Sequence, residues 1–278
     1  MFGLAGKFSE YQCKECGLVR LDPQPTAAQL KTYYPTKKYY SYSAKSKKSF
    51  FGWLRSFLIS HRLFGLVPAM PSQKAGRIFD IGCGSGDTLT LLQSVGWDVY
   101  GVDIDETAIR AAHKRGLPNV SLGTYEDLKR YPDDFFDAIR LYHVIEHLDD
   151  PSKCLKLARQ KLKAVGELII GTPNAQSIAA RIFKQYWYNL DCPRHLHLFS
   201  PKTLGTLLRR NSFTYETTYA SAGGWVGSIQ YVLEELTHHD IDLINRPWLV
   251  MLIYPFEWVL DRFGLGDIFV SRAKNKYV

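Results

Sequence analysis

Asp80-Ile81-Gly82-Cys83-Gly84-Ser85-Gly86 is the stretch that decides the fold. Before it stands Arg77-Ile78-Phe79-Asp80-Ile81, a short run with the composition of a buried strand. After it, Leu89, Leu91, Leu92 and Val95 recur at helical spacing from Thr88 to Val95. A strand that turns through three glycines into a helix lets backbone approach a ligand with no Cβ in the way. Gly96 stops the helix, and Asp98 to Val102 reads as a second strand. Asp103 closes it, about twenty residues after the turn, where an acidic side chain can accept both hydroxyls of a ribose.

The same rhythm continues outward. Asp105 is an N-cap for a helix over 106–115 that Gly116 ends. Val120 to Leu122 and Phe135 to Leu141 read as the third and fourth strands. Asp150 caps the next helix with Pro151 at its first position; Leu155, Ala158 and Leu162 form its apolar stripe, and Gly166 is its expected stop. Glu167 to Gly171 reads as a fifth strand, and Pro201 opens a helix carrying Leu204, Leu207 and Leu208. Thr214 to Tyr219 and Asp267 to Ser271 are the sixth and seventh strands. Strands alternating with helices predict an α/β fold, a parallel sheet with helices on both faces. Only the last two strands lack a simple crossover, so they can pair antiparallel.

Four regions follow: a basic, aromatic N-terminal lid (1–75), a core (76–222), a helical insertion that caps the substrate site (223–266) and a final core strand (267–278). With 46% hydrophobic and 22% charged residues, the chain of 278 has the make-up of an ordinary globular protein. Five scattered cysteines make no disulfide framework, and Met1 to Phe8 has no signal-peptide pattern, so a cytoplasmic setting is expected. The longest apolar run, Trp248 to Phe256, is too short to span a bilayer, although peripheral membrane contact stays open. Charge is segregated. Between Asp22 and Asp80 there is no acidic residue but ten basic ones: Lys31, Lys37, Lys38, Lys45, Lys47, Lys48, Arg55, Arg62, Lys74 and Arg77. The formal +8 less these ten leaves −2 for the rest. Such a field suits an anionic or glycan-linked small acceptor; a solvated face with no partner is the alternative.

Asp80 departs from the dinucleotide pattern. A carboxylate at the glycine turn repels pyrophosphate and suits a cationic amino-acid end. S-adenosylmethionine carries an ammonium and a sulfonium and no phosphate, so charge favours it over NAD. At these residues the chain resembles class I S-adenosylmethionine-dependent methyltransferases, over roughly 76–222. The resemblance implies a Rossmann-like seven-stranded sheet, mostly parallel with an antiparallel last strand, in three α/β/α layers. It also implies that Asp80, Gly82, Cys83 and Gly84 line the methionine end. Asp103 and Ile104 would then hold the ribose side, Thr124, Tyr125 and Glu126 contact adenine, and Leu141 and Tyr142 lie beneath the cofactor. The product would be S-adenosylhomocysteine.

Methyl transfer to a hydroxyl calls for a base, and histidine titrates near neutrality. His143-Val144-Ile145-Glu146-His147 follows the fourth strand, and Cys192-Pro193-Arg194-His195-Leu196-His197 follows the fifth. Both clusters resemble a subgroup related to ubiquinone-biosynthesis and sugar-tailoring O-methyltransferases. His143, His147 and His195 are the candidate bases, His197 a packing residue. If helical, the first cluster would put His143 and His147 on one face. Glu146 and His147 with His195 or His197 also offer metal-ligand chemistry. Small-RNA 2′-O-methyltransferases carry a glutamate where this chain has His143, and that departure argues against a metal and against nucleic acid. Cys13 and Cys16 resemble one knuckle of a zinc ribbon, and with no second pair no zinc is expected there. The expected function is O-methylation of a small acceptor such as a sugar hydroxyl. RNA 2′-O-methylation and non-catalytic adenosylmethionine binding are its rivals.

Overall fold

The computed structural model describes residues 8–33, 69–221 and 223–276. Residues 1–7 and 34–68 of the expected lid (1–75) lie outside them. In chain order the elements are β1 (Ser9–Gln12), β2 (Val19–Asp22), α1 (Ala27–Thr32), β3 (Arg77–Ile81), α2 (Asp87–Ser94), β4 (Asp98–Asp103), α3 (Glu106–Lys114), β5 (Val120–Leu122) and β6 (Phe136–Tyr142). Then come α4 (Pro151–Lys161), β7 (Leu162–Pro173), α5 (Ile178–Phe183), β8 (His197–Leu198), α6 (Pro201–Arg210), β9 (Phe213–Tyr219), α7 (Gly224–Thr237), α8 (Pro247–Arg262) and β10 (Ile268–Asn275).

Seven strands form the main sheet in the order β5-β4-β3-β6-β7-β10-β9. β3, β4, β5, β6 and β7 pair parallel, and β10 runs antiparallel to both β7 and β9. Strand periodicity sends alternate residues to opposite faces, and the two faces are separate cores. Phe79, Ile81, Ile139 and Leu141 meet Leu155 and Ala158 of α4 and Leu204 and Leu208 of α6. Ile78, Val99 and Ala138 meet Leu89 and Leu92 of α2 and Ile109 and Ala112 of α3. Strands covered on both sides read as near-continuous apolar runs, and so this sheet was visible in the sequence.

The caps fall where the side chains predict. Asp105 accepts the amides of Thr107 and Ala108, and Asp150 accepts that of Lys153 with Pro151 at the first helical position. One boundary differs. α4 ends at Lys161, and Leu162 belongs to β7, where it pairs with Phe136 and joins the same core. The register shifts between Phe136 and Ala138. A Cβ on Gly166 would stand 3.0 Å from the Lys163 carbonyl oxygen and 3.1 Å from that of Phe136. Gly166 therefore serves the irregular strand pairing and is no helix stop.

Of the N-terminal region, residues 8–33 hold two strands and a short helix. β1 and β2 form a hairpin, and β2 pairs with β8 through Val19↔Leu198 and Arg20↔His197, which ties it to the core. Cys13 and Cys16 sit in its turn, both as free thiols. No helix among the described residues is long and apolar enough to cross a membrane. Between β9 and β10 the insertion is a helical pair. Glu257 of α8 is buried, and its carboxylate accepts the amides of Gly223 (2.8 Å) and Trp225 (3.2 Å) at the start of α7. Trp225 packs edge-on against Phe183 and Phe256.

Those amides lose their partner in Glu257→Ala, at a cost of about 1–3 kcal/mol. Hydrogen exchange should quicken over residues 223–237 and stay unchanged in β3 and β6. Uniform quickening across the sheet would contradict a local role for this contact.

Candidate functional site

The chain leaves β3 towards β4 and β5, then returns to β6 on the other side of β3. Such a reversal opens a crevice at the carboxyl ends of the strands, where open α/β sheets bind ligands. The glycine turn lies there, with positive φ at Gly82, Gly84 and Gly86. A Cβ on Gly82 would come within 2.4 Å of Val144 Cγ2, so that glycine makes room for the segment after β6. A Cβ on Gly84 would meet nothing within 4 Å, so one side of the turn is open. Asp103 braces it: one carboxylate oxygen accepts the Gly84 amide (2.8 Å), the other the Asp105 amide (2.9 Å). Burial raises the Asp103 pKa, and those two amides oppose the rise. Ile104 beside it is 68% exposed, a large apolar side chain without cover. An open backbone, a braced carboxylate and a bare apolar side chain fit a nucleoside with an amino-acid tail.

Three expected contacts need correction. Asp80 is buried, and Arg140 Nη1 lies 2.9 Å from each of its carboxylate oxygens. β3 and β6 set Asp80 opposite Arg140, so the protein supplies the cation that a ligand was expected to bring. Leu141 is wholly buried in the core, and Tyr125 packs into the same cluster. Of the remaining sites, Cys83 is buried, Thr124 exposed, and Glu126 and Tyr142 half-buried. Hydrogen bonds from Lys129 and Lys153 hold the Glu126 carboxyl at about 2. Arg140 went unread, although a charge inside a buried-strand pattern signals a buried partner. Its Nε also donates to the Ala69 carbonyl (3.0 Å), and its guanidinium lies 4.9 Å from the Tyr142 ring centre.

The two histidine clusters do converge. His143 leaves β6 with φ +55 and donates its amide to the Gly171 carbonyl (2.8 Å). Its Nδ1 is 3.2 Å from Glu146 Oε1, and Glu146 Oε2 accepts the Thr172 hydroxyl (2.9 Å). Ile145–His147 is a single 3-10 turn, too tight for the shared α-helical face expected of His143 and His147. His147 Nδ1 is 2.9 Å from the Arg194 carbonyl, and His195 Nδ1 is 2.9 Å from that of Asn189. A carbonyl only accepts, so both Nδ1 atoms donate. The two rings stand 4.7 Å apart, centre to centre. His195 Nε2 lies 3.9 Å from Glu146 and 3.7 Å from Asp191. Burial first, then the neighbouring His195, holds His147 at about 4; burial likewise holds His195 at about 4. Burial pushes the Glu146 carboxyl up, but the His143 hydrogen bond and the surrounding histidines bring it to about 2.

Glu146, His147 and His195 also bring one potential ligand atom each to within 4.8 Å of one another, a three-donor set that the sequence did not favour. His197 is buried, as expected of a packing residue. Thr172, Asn189 and Gly171 carried no sequence signal, because their role is set by strand pairing and loop return. A cavity of about 330 Å³ between the β1–β2 turn and α6, lined in part by Lys14, Cys16, Lys202 and Arg210, shares no residue with this crevice. In that turn the amides of Cys16 and Glu15 lower the Cys13 pKa.

Residues 54–218 match a family described as a methyltransferase domain. A ubiquinone biosynthesis O-methyltransferase of Xanthomonas oryzae pv. oryzae is 23% identical over 189 residues, covering 66% of this chain and 72% of that protein. The crystal structure of a SAM dependent methyltransferase from Archaeoglobus fulgidus has a TM-score of 0.53 at 25% identity, covering 79% of this chain and 94% of its own. A Thermotoga maritima structure, titled a SAM-dependent methyltransferase and possible histamine N-methyltransferase, shares the fold with a TM-score of 0.53 at 24% identity, covering 80% and 89% of the two chains.

Arg140→Met strands a buried carboxylate and should cost about 3–5 kcal/mol in urea unfolding. Adding Asp80→Asn should recover part of that loss; equal stability of the single variant and wild type would remove the ion pair from the account. The depressed histidines set a pH dependence. Between pH of about 6.5 and about 4 the unfolded chain binds protons that folded His147 and His195 do not, so stability is full above this window and falls with pH through it. The melting temperature should drop by about 2–4 °C per kcal/mol lost. In the double variant His147→Asn/His195→Asn that slope should flatten, and an unaltered slope would assign the dependence elsewhere.

Proposed function

The chain belongs to the methyltransferase-domain family and is an S-adenosylmethionine-dependent enzyme, and from this premise we propose that it methylates a hydroxyl of a small acceptor. The observation that carries the proposal is the meeting of three elements on adjacent strands: the open turn after β3, Asp103 at the end of β4, and His143 at the end of β6. A donor seated on the turn and a base one strand away flank a single crevice. Proximity of this kind turns a two-body reaction into a positioned one.

In this reading Gly82 and Gly84 offer backbone to the methionine end. Asp103 takes the ribose hydroxyls, and Ile104 covers the adenine side with Thr124 and Glu126 beyond it. Asp80 acts indirectly: paired with Arg140, it locks the strand ends that carry the turn. When bound, the cofactor supplies a methyl group on a cationic sulfur, which leaves as a neutral thioether when the acceptor oxygen forms its bond to that carbon. The protein's tasks are to hold the acceptor hydroxyl in line and to take its proton. His143 suits the second task. Its side chain is 35% exposed, whereas His195 is buried. His147 and His195, held near 4, are weak proton acceptors at neutral pH.

The names of the curated sequence relatives, ubiquinone biosynthesis O-methyltransferases, favour oxygen as the acceptor atom. A sugar or another ring-shaped polyol is supported by the aromatic and polar groups beyond the histidines. Tyr231 of α7 lies 5.6 Å from Tyr188, ring to ring, with its hydroxyl pKa pushed up by burial, and Arg194 pairs with Asp191 in the loop before β8. Flat faces beside fixed charges match a polyhydroxylated ring.

Calorimetry with S-adenosylhomocysteine tests the donor site. Asp103→Ala removes a charged hydrogen-bond acceptor and should weaken binding by roughly 10–100-fold. NAD should not bind. Unchanged affinity in the variant, or tight NAD binding by wild type, would refute the assignment.

A further inference from the structure

We propose that Thr172, Glu146 and His143 form a hydrogen-bonded relay in which Thr172 and Glu146 are positioning residues that fix the tautomer of His143 and leave Nε2 as its basic nitrogen. The relay rests on the methyltransferase reading only for the identity of the proton it would receive.

Four features on β6 and β7 support it. The first is directional: a carboxylate only accepts, so His143 Nδ1 at 3.2 Å from Glu146 Oε1 carries the proton, and in the neutral imidazole the lone pair is then on Nε2. The second is saturation. Glu146 is 1% exposed, its other oxygen accepts the Thr172 hydroxyl at 2.9 Å, and so its orientation is fixed from both sides. The third is that β7 holds His143 twice, through the Gly171 carbonyl on its amide and through Thr172 by way of Glu146. The fourth is backbone conformation. His143 has φ +55, a left-handed geometry that costs a non-glycine residue about 1 kcal/mol or more and persists when the surroundings impose it.

The chemistry balances. The acceptor O–H bond breaks, and its proton goes to Nε2 of His143. The oxygen electron pair forms the new C–O bond while the electrons of the C–S bond return to sulfur. The imidazolium that results faces the Glu146 carboxylate inside the protein, where the attraction is weakly screened, and it later releases its proton to water. A carboxylate that orients a histidine and stabilises its cation without being protonated is a known arrangement in hydrolases. Here a threonine from the neighbouring strand holds the carboxylate.

Nitrogen-15 spectra of histidine-labelled protein read the tautomer directly, with and without S-adenosylhomocysteine, and need no acceptor. Wild-type His143 should show a protonated Nδ1 and an unprotonated Nε2. Glu146→Gln should lose that preference and Thr172→Val weaken it, whereas Thr172→Ser should restore it. Carbethoxylation of His143 by diethylpyrocarbonate at pH 7, followed by mass spectrometry, should slow by about fivefold in Glu146→Gln and less in Thr172→Val. Unchanged S-adenosylhomocysteine affinity in the threonine variants will show that they fold. An Nε2-protonated wild type, or variants that leave both tautomer and reactivity unmoved, would overturn the relay. Failure of wild type to bind S-adenosylhomocysteine would instead sink the methyl-transfer reading and leave the tautomer result standing.

Discussion

The buried pair between Asp80 and Arg140 joins the two strands whose ends frame the crevice. β3 leads into the glycine turn and β6 into His143 and His147, and at this register a buried carboxylate and a buried guanidinium meet at 2.9 Å. Charges so placed are tolerable only when matched. The match therefore fixes strand register, and register fixes where Gly84 and His143 stand relative to each other. The same guanidinium reaches the Ala69 carbonyl, so the segment entering the domain is referenced to the same point.

A second layer of constraints builds the histidine cluster. Its members come from three places: the segment after β6, the end of β7, and the loop before β8. What brings them together is backbone. The Leu196 amide donates to the Glu146 carbonyl at 2.8 Å, and Ala175 donates to Phe199 at 2.8 Å, so the returning loop is stitched across the strand ends. Within that frame each of the three imidazoles has an Nδ1 partner, and these partners differ in kind. Two are carbonyls and one is a carboxylate. That difference separates His143 chemically from its neighbours.

The helical pair packs on the loop before β8, and the N-terminal hairpin pairs with β8 itself. α7 is held by a buried glutamate from α8. Its Gly227 lies where a Cβ would strike the Tyr188 ring, so the helix packs closely on the loop that leads to His195. A carboxylate on Asp267 gathers the Trp187 indole, the Ser177 hydroxyl and the Asn189 amide, which anchors that loop at the start of β10. The last strand thus does more than close the sheet; it positions residues that precede it by about eighty places in the chain.

Much of this was written in the one-dimensional pattern. The strand and helix order, the caps at Asp105 and Asp150 and the glycine turn each depend on residues close in sequence, because periodicity, capping and φ are local properties. The place of His143 and His147 just after β6 was also legible, since the strand order alone puts that segment beside the glycine turn. What only the folded chain decided were the pairings across distance: Arg140 answering Asp80, Thr172 reaching Glu146, and carbonyls of the returning loop taking Nδ1 of His147 and His195. Leu162 and Gly166 show the same limit from the other side. Their local pattern reads as the end of a helix, whereas the folded chain pairs Leu162 with Phe136 of β6 and seats Gly166 against the Phe136 carbonyl.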